Sequence, residues 1–299
     1  EPYRRQRQMC IRDRKYYDSV FGEVETESLP FPDVTGKAPE KGYLERKLTV
    51  AEDKILSCCE KLGVTPNILF TGVFGILMSR YSNSDDSLFS TIYNGRNDSR
   101  LENTVCMLVK TLPVYCKFEA KTTIQAYMTE LSEQLLSSMA NDIFPFSDIC
   151  AKYGFNSDLT FAYQAELSDD YPIGDTVARG HDLSLDMAKM PLLIQVREYN
   201  NEYVLTAEFR SDRYSDAFVA GMLEAYEAAM DSMLKNKYVS EVSILSENAV
   251  KKIAEFNDTA CKYDRTKTIS DRFAEMVQTI PDHTAVVFKD KKYTYKELD

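Results

Sequence analysis

Residues 15–234 read as a mixed α/β fold, with helices covering a sheet of parallel and antiparallel strands. Segments of two-residue and 3.6-residue hydrophobic period follow one another in the order β-α-α-β-β-α-β-β-β-β-α. Asn200-Asn201 separates two of the strands by a pair of residues suited to a hairpin turn, because asparagine tolerates positive φ. With 299 residues, 44% of them hydrophobic, the chain suffices for one large domain, or for one domain and part of another.

Residues 43–50 alternate Leu44, Arg46 and Leu48 against Tyr43, Glu45 and Lys47, which predicts a half-buried strand. Helical spacing follows over 51–62. Thr65-Pro66 then supplies an N-cap and a proline at the first helical position, and Leu69, Phe70, Val73, Phe74, Leu77, Met78 and Tyr81 fall on one face of the next helix. Gly72 and Gly75 cost that helix propensity, so close packing against another element is expected there. A strand over 88–93 ends in Asn94-Gly95-Arg96, where glycine permits a sharp turn. Residues 105–117 form a second extended stretch, whose Pro113 argues for an edge strand or a bulge. Ile124, Tyr127, Met128, Leu131 and Leu135 mark a long amphipathic helix, broken at the proline of 141–147 (NDIFPFS). Strands are then predicted over 159–163, 183–187, 192–198 and 203–209, and a last large helix from Phe218 to Met233. A charged connector follows, and residues 284–299 read as strand, charged turn, strand and the first turn of a helix, the opening of a further domain.

Thirty-six basic against 47 acidic side chains give a net charge of −11, which repels phosphate backbones and anionic lipid and argues against a nucleic-acid partner. No apolar run approaches the ~20 residues of a membrane-spanning helix. The seven cysteines show no CxxC spacing and fit reduced thiols in a cytoplasm. Asp85-Asp86 and Asp169-Asp170 lack the companion ligands of a metal site. The first fifteen residues carry a charge of +4, against −15 on the remainder, without the apolar region of a signal peptide. Residues 1–14, with the string RQRQMCIRDR, therefore read as a non-native, adapter-like segment that fold reasoning leaves aside.

Several stretches together resemble the condensation domains of nonribosomal peptide synthetases. Residues 88–96 (LFSTIYNGR) look like that family's strand ending in an Ala-Gly-Arg turn, with Asn94 in place of alanine. Residues 105–113 (VCMLVKTLP) are similar to the motif IGxFVNTLP, with Cys106 for its glycine and Lys110 for its asparagine. Residues 141–147 resemble HQDYPFE, and residues 158–164 (DLTFAYQ) the strand that follows in the family. Residues 242–246 and 256–259 resemble the junction between condensation and adenylation domains, and 293–299 (YTYKELD) the first adenylation motif, LTYxELN.

The resemblance implies a chloramphenicol-acetyltransferase-like fold. It divides the chain into the C-terminal lobe of a condensation domain at 15–234, a linker at 235–267 and the start of an adenylation domain at 268–299. It also implies amide formation between a donor acyl or peptidyl thioester and an acceptor aminoacyl thioester, both on phosphopantetheine arms of carrier domains, with ATP and magnesium serving the full module. This chain itself is expected to bind no cofactor. The partners implied are the carrier domains, the N-terminal condensation lobe and the rest of the adenylation domain. Asn94, Gly95, Arg96, Lys110, Thr111, Pro145 and Phe146 become candidates for the wall of the substrate tunnel.

No catalytic residue is assigned. The family's base is the second histidine of HHxxxDG, whereas this chain holds only His181 and His283, neither beside another histidine. That base is expected upstream, and this chain alone is expected to be inactive. Two candidates have a structural alternative: Arg96 holding its own loop through a carboxylate, Lys110 as a solvated edge-strand charge. Two other functions compete: a docking module without chemistry, and a freestanding acyltransferase using coenzyme A or an alcohol acceptor, against which the adenylation-like start argues.

Overall fold

A computed structural model describes residues 2–22, 24, 28–96, 99–101, 103–119, 121–156, 158–165, 170–179, 186–199 and 202–299, the side chains of 2–9, 170–171, 179 and 199 excepted. The chain forms two compact units, 1–249 and 250–299.

In the first unit, α1 (Pro2–Phe21) and β1 (Lys41–Lys47) precede the helix pair α2 (Glu52–Leu62) and α3 (Pro66–Tyr81). After them come β2 (Asp86–Tyr93), β3 (Lys110–Lys117), α4 (Ile124–Ala140), α5 (Phe146–Tyr153), β4 (Leu159–Gln164) and a small hairpin of β5 (Asp170–Ile173) and β6 (Thr176–Arg179). The hairpin β7 (Leu192–Tyr199) and β8 (Glu202–Arg210) leads into α6 (Asp216–Met233), and α7 (Glu247–Asn257) follows. Six strands form one sheet in the order β1-β8-β7-β4-β2-β3. Its centre, β2, β4 and β7, is parallel, and its flanks are antiparallel. The mixed sheet expected from the sequence is therefore present.

The core forms around α3. Thr65 caps it, accepting a hydrogen bond from the Ile68 N–H, with Pro66 at its first position. Every residue from 68 to 79 is buried, so burial includes the face of Leu69, Phe70, Val73, Phe74, Leu77 and Met78 and extends around the rest of the helix. The helix is enclosed because β2 and β4 pack on one side of it while α4 and α6 pack on others. The two glycines show the close packing expected of them. A Cβ on Gly72 would lie 2.4 Å from Met128 Cε, and one on Gly75 2.6 Å from Tyr127 Oη and 2.8 Å from Cys116 Sγ. Tyr127 donates its hydroxyl to the Gly72 carbonyl at 2.9 Å, and Tyr226 donates to that of Phe70 at 2.8 Å, so both buried phenols are satisfied.

The opposite face of the sheet is covered at the β2–β3 end. Phe89 packs edge-on against Phe74 in the main core, whereas the adjacent Leu88 points into a second cluster with Tyr17, Phe21, Phe144, Ile149 and Phe155. The helix that supplies Tyr17 and Phe21 crosses residue 14 without a break. Arg12 donates to the Ala140 carbonyl at 2.7 Å, and the fully buried Asp13 accepts the Ile143 N–H at 3.0 Å. Charge asymmetry had set these residues apart, yet Arg12 and Asp13 are engaged with the fold.

Other expectations change. The stretch 105–117 is a strand only from Lys110, and Val105 and Met107 are exposed. Pro113 lies on an edge strand in unbroken register opposite Ser90, so no bulge is needed. The break at 141–147 is followed at once by α5, whose first residue is Phe146 after Pro145. Asn200 and Asn201 lie outside the described residues, though Tyr199 pairs with Glu202 around them. Residues 183–185 of the expected strand 183–187 are likewise outside, and Asp186 and Met187 are not in a strand. The connector expected from Lys235 is packed at its start: the Lys237 carbonyl accepts the Ile124 N–H, and Val239 and Val242 are buried in the main core.

The second unit contains α8 (Ile269–Thr279), the hairpin β9 (Thr284–Phe288) and β10 (Lys291–Thr294), and α9 (Tyr295–Leu298). The turn between its strands places Lys289 at φ 54°. Phe273 of α8 packs on Tyr295 with ring centroids 5.8 Å apart. Strand, turn, strand and helical turn are the elements expected from 284–299.

Candidate functional site

The parallel strands β2, β4 and β7 all run toward one end of the sheet, and the candidate residues gather where β2 finishes at that end. Register decides the arrangement. Tyr93 pairs with Lys110 and Ile92 with Thr111, so the turn that leaves β2 lies beside the residues that enter β3.

Asn94, Gly95 and Arg96 build that turn. The Asn94 side-chain oxygen accepts the Arg96 N–H at 3.0 Å, closing a local turn. Gly95 has φ +70°, and a Cβ there would sit 2.0 Å from the Leu108 carbonyl oxygen, so backbone passes against backbone where only glycine fits. The Arg96 guanidinium donates to the carbonyls of Leu101 at 2.6 Å, Thr104 at 3.0 Å and Cys106 at 3.2 Å. Arg96 thus fixes its own loop through three carbonyls, while the loop's carboxylates, Asp98 and Glu102, lie outside the described residues. β2 ends at Tyr93, which pairs with Lys110, and β3 accordingly begins there.

Lys110, Thr111, Pro145 and Phe146 share a cavity of about 400 Å³. It is walled by Lys110, Thr111 and Leu112 of β3 and by residues 142–146. Asn94, Gly95 and Arg96 shape the adjoining turn without lining it. The Lys110 ammonium lies 2.9 Å from the Asp142 carboxylate and donates to the Asp142 carbonyl at 3.1 Å. Lys110 is therefore a paired wall residue, and the reading of a solvated edge charge is corrected.

Leu112, Asp142, Ile143 and Phe144 lie within the motif-like stretches 105–113 and 141–147 but are not among the tunnel candidates. A lysine where the resembled motif carries asparagine asks for a carboxylate, and that was the available signal for Asp142. Behind the wall, Tyr17 is fully buried, its ring centroid 6.3 Å from that of Phe144. Its hydroxyl has no hydrogen-bond partner among the described residues. Burial raises its pKa, helped by Tyr16 and by the Asp13 and Asp142 carboxylates.

The cavity is suited to holding a substrate, not to moving a proton. Its titratable lining groups, Lys110 and Asp142, occupy one another, and Thr111 brings its one side-chain hydroxyl. His181 lies outside the described residues, and His283 is an exposed residue of the second unit. Asp86 of the Asp85-Asp86 pair accepts the Tyr115 hydroxyl at 3.0 Å. No cluster of three metal-ligating side chains occurs among the described residues. Nor is any single described helix long and apolar enough to cross a membrane. A larger cavity of about 930 Å³ lies between α2 and the ends of α4 and α6. It contains none of the predicted residues and its lysines, Lys54, Lys61, Lys235 and Lys237, are exposed, so size alone does not mark it as the site.

Solved structures share this architecture. A four-domain nonribosomal peptide synthetase bound to AMP and glycine superposes with a TM-score of 0.71 at 15% identity, over 96% of this chain and 24% of that one. The first condensation domain of the calcium-dependent antibiotic synthetase, in complex with a substrate analogue, gives 0.62 at 17% identity, over 79% of this chain and 53% of that one. The fold is thus that of condensation domains. Residues 3–254 match the family model described as Condensation domain, and the chain belongs to that family. Among its relatives, gramicidin S synthase 2 of Brevibacillus brevis is 26% identical over 306 residues, and tyrocidine synthase 2 of Brevibacillus parabrevis is 24% identical over 307. These alignments cover 96% and 95% of this chain but only 7% and 8% of the relatives' lengths.

Proposed function

We propose that the chain is the C-terminal lobe of a condensation domain, followed by a linker and the first residues of an adenylation domain. In its parent synthetase the condensation domain joins a donor acyl or peptidyl thioester to an acceptor aminoacyl thioester. Both substrates arrive on phosphopantetheine arms of carrier domains, with ATP and magnesium used by the adenylation partner, in the cytoplasm.

The observation that carries this reading is the convergence, at the end of β2, of the Asn94-Gly95-Arg96 turn, the Lys110-Thr111 strand start and the 142–146 segment. All three fall within the matched family region. Lys110, Thr111 and the 142–146 segment wall the substrate, and the turn at 94–96 shapes the adjoining backbone. The base is assigned to an HHxxxDG motif outside this chain, because the lining residues offer no free titratable group. On this reading the chain alone forms no amide.

The test is amide formation by the parent module with both carriers loaded, followed by mass spectrometry. Replacing the second histidine of HHxxxDG by alanine is expected to slow product formation by about 100-fold or more. A parent without that motif, or with a rate indifferent to the substitution, would replace this reading with carrier docking without chemistry.

A further inference from the structure

Resting on that reading, we infer that the cavity between β3 and residues 142–146 receives an uncharged hydrocarbon group carried on the thioester substrate. Two observations on the wall lead there. The first is the balance of charge. Lys110 and Asp142 are the formally charged lining residues, and they face each other at 2.9 Å, with a further bond from the ammonium to the Asp142 carbonyl. An entering carboxylate would have to displace Asp142 from Lys110, and an entering ammonium would have to displace Lys110 from Asp142. Either exchange gives up a charge-assisted contact to make another, with desolvation of the newcomer added. A neutral group meets no such cost.

The second is the remaining surface. Leu112, Ile143, Phe144, Pro145 and Phe146 present apolar side chains, and the volume of about 400 Å³ lies at the small end of ligand pockets. The wall is also held in place. Asp13 fastens the Ile143 N–H, and Phe144 is 7% exposed within the second apolar cluster. A preformed apolar pocket whose polar groups are mutually satisfied favours an apolar occupant over water. Two sources of that occupant share the chemistry: the acyl chain of a donor and the side chain of an apolar aminoacyl acceptor.

The experiment measures binding to this chain by calorimetry and by shifts of the Leu112 and Ile143 methyl signals. The probes are three N-acetylcysteamine thioesters: octanoyl, N-acetyl-L-leucyl and succinyl. At least one neutral thioester is expected to bind saturably, with shifts at those methyls, and succinyl about tenfold or more weaker. Preference for octanoyl assigns the pocket to a donor acyl chain, and preference for N-acetyl-L-leucyl to an aminoacyl side chain.

Asp142→Asn, which frees the Lys110 ammonium, is expected to narrow the gap to succinyl by about tenfold. With a fourth probe, the cationic 6-aminohexanoyl thioester, Lys110→Met is expected to favour that probe over succinyl instead. A merely structural pair would weaken all probes alike in both variants. Equal or tighter succinyl binding to the unaltered chain, no saturable binding of either neutral probe, or methyl shifts confined to other regions would overturn the inference. None of these readouts requires catalysis, so a parent that binds these probes here yet forms no amide would refute the amide-forming reading and leave the pocket assignment standing.

Discussion

Lys110 and Asp142 hold the start of β3 to the segment that links α4 and α5, at 2.9 Å between ammonium and carboxylate. The side chains are 37% and 18% exposed, so the pair is screened on the lysine side more than on the aspartate side. Removing the cation leaves the less exposed carboxylate uncompensated. Lys110→Met is therefore expected to cost about 1–2 kcal/mol in urea unfolding. Asp142→Asn should cost a similar amount, and the double variant less than their sum. Strict additivity would show that the two residues are not energetically coupled.

Gly95 is placed to fix the same edge from the other side. Alanine there meets both a φ of +70° and the Leu108 carbonyl oxygen at 2.0 Å from its Cβ. Backbone strain alone is about 1–2 kcal/mol, and the clash with main chain adds to it. Gly95→Ala should therefore displace the 94–108 loop while the core remains folded. Hydrogen exchange should accelerate at residues 103–108 with little change in α3. Unchanged protection of that loop would disprove the close approach.

Most of the sheet and its helices were legible because two-residue and 3.6-residue periods survive in strands and helices with one solvent-facing side, such as β1 and α4. Periodicity cannot report a helix enclosed on all sides, so α3 looked one-faced although Thr71 and Ser79 are also buried. One strand boundary is set by the partner and not by local pattern: β2 ends at Tyr93, opposite Lys110, and the apolar run 105–109 does not extend β3. At the site, motif resemblance located Lys110, Thr111, Pro145 and Phe146. The stretch 141–147 contains Asp142, and Lys110 in place of asparagine asks for a carboxylate, but the pairing of the two across 32 residues leaves no local pattern.

Gly72 and Gly75 distinguish two kinds of tight packing. Alanine in a helix interior gains about 1 kcal/mol over glycine. At Gly72 the opposing atoms nearest the new methyl, Cε and Sδ, belong to the end of the flexible Met128 side chain, which can shift. At Gly75 they are the Tyr127 hydroxyl, bonded to the Gly72 carbonyl, and the Sγ of buried Cys116. Overpacking typically costs about 1–3 kcal/mol. Gly72→Ala should accordingly be close to neutral, within about 1 kcal/mol, and Gly75→Ala destabilising by about 1–2 kcal/mol. Calorimetric midpoints rank them, and a reversed order would refute the assignment.

Glu227 gives stability a pH dependence. It is 8% exposed and accepts hydrogen bonds from the Arg46 guanidinium and the Thr49 N–H, each at 2.8 Å, as well as from the Thr49 hydroxyl. Desolvation pushes its pKa up, but the Thr49 hydroxyl and N–H together with Arg46 outweigh that, and the carboxyl stays below its ordinary value. A pKa lowered by folding means that the native state holds the proton less tightly than the unfolded chain. The stabilisation is thus fully present above about pH 4.3, the unfolded glutamate range, and is lost as pH falls through the lower native value. Glu227→Gln keeps the shape but removes the charge, and should cost about 1–3 kcal/mol at pH 7. The difference between wild type and variant should shrink as pH is lowered from 5 toward 3. Urea midpoints measured across that range check the sign, and a gap that widens on acidification would show that the native carboxyl binds its proton more tightly than the unfolded one.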